Sequence, residues 1–396
     1  MAYTKTTTTT YGQRLKNSGK GIVGGIVMFI LGTIIIFWNE GRTARQYRAI
    51  KETGKVCIEM PDANEIDPAF EGKCVHTIAI ASTEDVLTDN YFGVSVNAIA
   101  IDRDVEYYQW VEHTQTTTKD KVGGGQETTT TYSYSKEWCS SPVSTTNFEN
   151  IVTQQGERMD NTTKVVIPTD GEHQVAENVK FGAYQLPSKM KGAFGCNQKF
   201  PLNDLNVPGA TVNENVVYYG ANPNAPEVGD VRVTLTKSVA SGEASLIAVV
   251  AGDTFTDYVA KNGNANSWIQ LGSQSTDQMI ATAKANNKIL GWILRVLGAL
   301  LIVFGLKGIF DILVTLLKVL PFLANIANVG VSLVCWLVGL AWAFIIAAIA
   351  WIIYHPAIGI PLAVVAVALI VFLSMKSKKA APADVPATAE PVNPEN

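Results

Sequence analysis

The stretch GIVGGIVMFILGTIIIFW, residues 21–38, runs for 18 residues without a charged side chain. At about 1.5 Å per residue a helix of that length covers roughly 27 Å, close to the hydrocarbon thickness of a bilayer. Working outward, residues 1–20 are polar, carry a threonine run at Thr6–Thr10, and read as a disordered tail. On the other side, residues 39–288 form a long polar region with no second apolar stretch. Three further segments close the pattern: 289–306, apolar apart from Arg295, and 330–354 and 357–375, both free of acidic and basic side chains. Between the second and third of the four apolar stretches, residues 307–326 carry a polar stripe, Lys307, Asp311, Thr315 and Lys318, on an otherwise apolar helix. That stripe fits an amphipathic helix in the membrane interface, with Lys307, Asp311 and Lys318 among headgroups. It fits equally a helix packed on the spans. Residues 376–396 are rich in Ala, Pro and Glu and read as a disordered tail.

The expected fold class is therefore an α-helical membrane protein with a large β-rich α+β extracytoplasmic domain. Four transmembrane helices are expected, one N-terminal and three C-terminal, with an amphipathic interfacial helix. Phe37-Trp38-Asn39-Glu40-Gly41-Arg42 offers no small-residue cleavage site, so the first span reads as a signal anchor. Residues 39–288 hold 31 Asp/Glu against 21 Lys/Arg, while basic residues dominate the remainder. Lys5, Arg14, Lys16, Lys20, Lys307, Lys318 and Lys376 fall in short flanks that mark a cytoplasmic side, and Arg42, Arg45, Arg48 and Lys51 argue the other way. On balance both termini are placed in the cytoplasm and the domain outside it.

Cys57, Cys74, Cys139 and Cys196 lie in the domain and Cys335 in a span. In an oxidising compartment the first four permit two disulfides in three connectivities, and they are equally readable as free buried thiols. Within the domain, 94–101 alternates as a strand, and 105–118 and 128–138 flank Gly123-Gly124-Gly125 as a long β-hairpin. The outer part of that hairpin is Thr, Gln, Ser and charge, which suits projection into solvent or onto a neighbour. Residues 147–154 and 276–288 read as helices.

No HExxH, GxSxG, Walker or dinucleotide-binding motif is present, and the four histidines have no ligand-like spacing. No catalytic residue, cofactor or metal ligand is assigned. Arg295 lies seven residues into its span, about 10 Å deep, where it can snorkel; an anchor role is favoured over permeation or proton relay. Gly21 and Gly25 stand in GxxxG spacing and Gly298 and Gly305 seven apart, which suits close helix packing within the chain or between copies.

Trp38-Asn39-Glu40-Gly41-Arg42, Tyr108-Gln109-Trp110-Val111-Glu112, Tyr132-Ser133-Tyr134 with Glu137-Trp138, Asn222-Pro223 and 226–233 resemble, in that order, the hallmark blocks of the LUMA family of four-span membrane proteins. The resemblance runs from about Gly19 to Met375; the termini and the four external cysteines do not take part. It implies a membrane-organising protein without established enzymatic activity. Animal members reside in the inner nuclear membrane and endoplasmic reticulum and are linked to lamins and emerin. A bacterial member would sit in the cell membrane without those partners. The expected function is a non-enzymatic membrane scaffold with lipids, further copies of itself and other membrane proteins as partners, and no nucleic acid. The competing expectation is a channel, transporter or membrane sensor subunit. On a helical wheel Leu313 falls opposite Asp311, so a lysine at Leu313 is expected to harm the protein more than one at Thr315.

Overall fold

The computed structural model describes residues 2–153, 156–162, 167, 171–202, 205–319, 321–354 and 360–361. Of the expected fourth span, 357–375, only 360–361 belong to them, and the tail 376–396 lies outside. Among the described residues three long helices organise the chain: α1 (Tyr11–Val56), α2 (Thr276–Leu317) and α3 (Pro321–Tyr354). Each contains a stretch long and apolar enough to cross a membrane. The starts of α1 and α2 are written in the sequence as capping boxes. Thr10 accepts from the Gln13 N–H at 3.3 Å while Gln13 accepts from the Thr10 N–H at 3.0 Å, and Ser275 and Gln278 repeat the arrangement.

Two expectations change here. Residues 2–20 take regular structure where a disordered tail is expected. Strand β1 (Ala2–Thr9) leads through the Thr10 cap straight into α1, because the threonines find an open strand to pair with. Nor is there a separate interfacial helix over 307–326. Residues 307–317 continue α2 without a break, and Gly308 in that segment lies against Gly21 and Gly25 of α1. The chain turns only at Lys318, and Pro321 opens α3, where its missing N–H is no loss.

Residues 39–288 form a β-rich domain built on two main sheets. Its principal strands are β2 (Cys74–Thr83), β3 (Ala100–Asp120), β4 (Gln126–Cys139), β5 (Glu172–Val175), β6 (Val231–Lys237) and β7 (Ser241–Ala251). In the first sheet the order is β1-β4-β3-β6, continued by 216–219 and 211–213, with β5 beside β3. Period two sets its core: Val231, Val233 and Leu235 point inward against Val105, Tyr107 and Val217. In the second sheet β7 pairs with β2 on one side and with 254–256 on the other, and 184–185 and 179–181 complete a ring back to β2. Phe181, Tyr184, Phe255, Leu246 and Val250 fill that ring.

Helices α1 and α2 do not stop at the domain. Ile50 of α1 and Met279, Ile280 and Ala283 of α2 pack on Cys74 of β2 and Ile247 of β7 as one buried cluster. The helix expected over 147–154 does not form among its described residues, 147–153. A short 3-10 turn at 145–147 is followed by irregular backbone, because Glu112 takes the Glu149 N–H and the Tyr134 hydroxyl takes that of Asn150.

The hairpin of β3 and β4 is longer than the sequence pattern indicates, and it does not project freely. Its strands pair from Tyr107↔Cys139 out to Asp120↔Gln126, and β1 adds a third strand along the outer half. The 21 residues of β3, at about 3.3 Å each, match the 46 residues of α1 at about 1.5 Å. The tip consequently meets the far ends of the helices. Arg14 pairs with Asp120 at 2.7 Å and donates to the Gly124 carbonyl at 3.1 Å, and the Gly123 N–H reaches the Val319 carbonyl at 3.1 Å. Gly124, at φ 84°, lies so close to the Tyr11 ring that a Cβ would sit 2.4 Å from it.

Asp311 and Thr315 of the polar stripe face α1. Ser18 donates to Asp311 at 3.0 Å and shares a 2.8 Å hydrogen bond with Thr315, whose side chain is 1% exposed while Leu313 is 49% exposed. The expected order of the two lysine substitutions therefore reverses in solution of the folded protein. Thr315→Lys should lower the detergent-phase melting temperature, by the equivalent of about 1–3 kcal/mol for an overpacked buried site. Leu313→Lys should leave intrachain packing intact and reduce only membrane-extracted yield; equal melting of both variants would contradict the observed facing.

Candidate functional site

The residues that the sequence singles out in the helices converge on one seam, where α1 and α2 lie antiparallel. Small side chains let the two backbones touch. A Cβ on Gly25 would sit 2.6 Å from the Gly305 carbonyl oxygen, and one on Gly32 would sit 2.6 Å from that of Gly298. Gly21 is looser, with the Gly308 carbonyl 3.8 Å away. Gly25, Gly32, Gly298 and Gly305 thus pack against one another within the chain.

At the domain-proximal end of the seam, the block Trp38-Asn39-Glu40-Gly41-Arg42 sets four successive contacts. Asn39 is wholly buried and donates to the Gly291 carbonyl at 2.9 Å. Glu40, 4% exposed, accepts two hydrogen bonds from Arg295, through Nε and, at 2.9 Å, through Nη2. Gly41 leaves room for the Tyr354 ring, 2.5 Å from where its Cβ would stand. Arg42 donates to Asn287 at 3.3 Å, and Asn287 in turn donates to the Thr43 carbonyl at 3.0 Å. Arg295 is therefore a member of a fork-shaped ion pair, with Trp292 under its guanidinium at 5.1 Å, and the expected snorkelling anchor is corrected to an interhelical clasp. A cavity of about 550 Å³ opens beside the pair between the three helices, lined by Ile36, Val296, Leu340, Ala343 and Phe344.

At the other end Lys307 and Lys318 stand near the α2 terminus, and Asp311 joins Ser18 and Thr315 as described. Lys318, Arg14 and Asp311 line a polar cavity of about 400 Å³ between α1, α2 and the hairpin.

Outside the helices, the remaining blocks brace the hairpin base. Gln109 donates to the Ser141 carbonyl and accepts from the Val143 N–H, Tyr108 stacks on Trp138, and Arg232 lies over the Trp138 ring at 4.4 Å. Asp230, wholly buried, accepts from the Tyr218 hydroxyl at 2.6 Å and from the Glu227 N–H at 2.8 Å, which fixes the 222–230 turn. All five cysteines are free. Cys57 and Cys74 meet at the junction of α1 and β2, where a thiol hydrogen bond between them and burial push the Cys57 pKa well up. Cys139 ends β4, and Cys196 lies beside Asp102 and His173. Sequence spacing missed that last grouping, since its members come from three distant segments.

Because Glu40 is buried, removing it strands the Arg295 charge. Glu40→Ala should destabilise the protein by about 3 kcal/mol, and adding Arg295→Met should restore much of the loss. A double-mutant cycle by thermal unfolding in detergent checks it, and additive losses would mean that the two side chains are not coupled.

Comparison with known proteins places this architecture among relatives. The family described as Transmembrane protein 43 matches over residues 107–356. The chain is 28% identical over 355 residues to Transmembrane protein 43 of Rattus norvegicus and 26% identical to that of Homo sapiens, covering 87% of each chain in both cases. It is 28% identical over 342 residues to the Transmembrane protein 43 homolog of Drosophila melanogaster, covering 85% of this chain and 89% of that protein. No solved structure matches it.

Proposed function

We propose that this chain, which belongs to the Transmembrane protein 43 family, is a non-enzymatic membrane scaffold whose helices assemble laterally and whose β-rich domain stands outside the cytoplasm. The family is the one that the hallmark blocks resemble under the name LUMA. It is a membrane-protein family not known as enzymatic. The observation that carries the reading is mechanical. Helices α1 and α2 run unbroken from their apolar stretches into the domain core, so a displacement of the bundle is passed directly to the sheets. Wide apolar faces remain on the bundle, with Val23, Ile34, Ile293, Leu333 and Phe344 more than half exposed. Lipid or neighbouring spans are their natural cover. In this reading the fourth span expected from the apolar run 357–375 brings the chain back to the side of its N-terminus, with both termini in the cytoplasm.

Lateral assembly is tested by light scattering on protein extracted in native nanodiscs, with co-purifying proteins identified. Oligomers or a reproducible partner are expected; a strict monomer at all concentrations with no co-purifying protein would sink the idea.

The topology has its own test. A spanning α1 separates Tyr11 from the domain by a bilayer, and the hairpin touches both ends. Its Thr-rich outer half with open strand edges cannot stay in hydrocarbon, where unpaired backbone groups cost several kcal/mol each. In the bilayer, the hairpin therefore leaves α1, the Arg14–Asp120 contact breaks and β1 gives up its pairing with β4. Paired substitutions Arg14→Cys and Asp120→Cys should fail to cross-link in nanodiscs. Efficient cross-linking in nanodiscs would overturn the spanning orientation.

A second reading, a channel, transporter or sensor subunit, is favoured by the Glu40–Arg295 pair facing an interhelical cavity. Conductance in planar bilayers that Arg295→Met abolishes would put it ahead; silence across ions and voltages leaves the scaffold.

A further inference from the structure

We propose that Asp102, His173 and Cys196 form a binding site for a thiophilic divalent cation of the zinc class. Their carboxylate oxygen, ring nitrogen and sulfur lie within 4.8 Å of one another. The grouping is not an accident of long surface side chains, because the backbone brings each member in. Asp102 of β3 and His173 of β5 are directly opposed in the antiparallel register, so their side chains leave the sheet on the same face. Cys196 arrives two residues before Gln198–Lys199, a strand that pairs with β6, the neighbour of β3 on its other edge. The Asp102 carboxylate already hydrogen-bonds the His173 Nδ1 and the Cys196 thiol. It stands where a shared cation would replace those protons.

The ligand chemistry selects the ion. One sulfur, one nitrogen and one oxygen make a borderline-soft set that suits zinc and its neighbours, whereas calcium and magnesium take oxygen alone. Tetrahedral zinc binds sulfur at about 2.3 Å and nitrogen or oxygen at about 2.0–2.2 Å, which holds its ligand atoms roughly 3.3–3.8 Å apart. The Asp102 oxygen and the His173 Nδ1, now in direct hydrogen-bond contact, open to roughly 3.3 Å as the ion enters between them and the Cys196 sulfur. Binding exchanges the Cys196 S–H for a sulfur–metal bond and releases that proton to solvent, while neutral His173 binds through Nδ1 and carries its own proton on Nε2. Asp104, two residues along the same strand face, adds a negative field at Cys196 and leaves a fourth position to itself or to water. A nucleophilic role for Cys196 is disfavoured: burial and the Asp102 carboxylate push its thiol up to about 12, away from the reactive thiolate. Holding β5 and the Cys196 loop to β3 is what the ion would do, a staple at the root of the long hairpin.

The test uses the full chain in detergent, stripped with a chelator, dialysed and titrated with Co(II). Thiolate-to-cobalt charge-transfer absorption should saturate at one ion per chain and be displaced by Zn(II). The absorption should vanish in Cys196→Ser and persist in Cys139→Ser. In His173→Gln the apparent affinity should fall at least as far as the roughly 10–100-fold that loss of a mere outer-sphere partner costs. His173 is exposed, so this variant keeps the fold and decides the matter even where Cys196→Ser does not express. No charge-transfer band in the parent protein, a band that survives Cys196→Ser, or unchanged affinity in His173→Gln would each overturn the proposal.

Discussion

Everything else in this structure hangs on the close backbone contact between α1 and α2. At Gly25–Gly305 and Gly32–Gly298 the helices approach until a single Cβ would strike a main-chain oxygen, and neither backbone can yield as a side chain can. That contact sets an antiparallel register, and the register decides what meets what. It brings Ser18 to Asp311 and Thr315 at one end and Glu40 to Arg295 and Asn39 to Gly291 at the other. In an apolar surrounding such polar pairs cannot fall back on water, so a slipped register would leave buried charges and amides unmatched. Packing and polar pairing therefore select the same alignment.

The same seam joins the membrane-facing part of the chain to its β-rich domain. Past Asn39 and Gly291 the helices stay paired and enter the domain as part of its core, with Gly54 against Ile280 and both helices on β2 and β7. Side-chain bonds lock the joint further, as Asn266 accepts from Gln46 and donates to Thr53. A hinge would need a loop at this boundary, and the chain has none in either helix. This rigidity is what a scaffold needs and what an independently tumbling domain would lack.

Much of the fold could be read directly from the chain. The apolar stretches announce the three long helices of the described residues because hydrocarbon demands a minimum run without charge. The Gly123-Gly124-Gly125 turn between two Thr/Tyr-rich runs announces the hairpin, and Thr10 with Gln13 and Ser275 with Gln278 mark helix starts by local chemistry. The helix expected over 147–154 fails for a physical reason: the N–H groups of Glu149 and Asn150 are claimed by Glu112 and Tyr134, which no local pattern reveals.

What the sequence determined by itself is which residues dislike water and which backbones turn, since both depend on neighbours along the chain. It could state that Lys307, Asp311, Thr315 and Lys318 share a face, and that Arg295 sits in an apolar run. Only the tertiary structure decided that this face looks at Ser18 and that Arg295 meets Glu40, because a helix has no means of declaring which side its partner occupies. The same holds for Asp102, His173 and Cys196, which strand pairing assembles from positions far apart in the chain. A cluster closed by long-range hydrogen bonds leaves no spacing to read, and it becomes visible only once the strands are laid side by side.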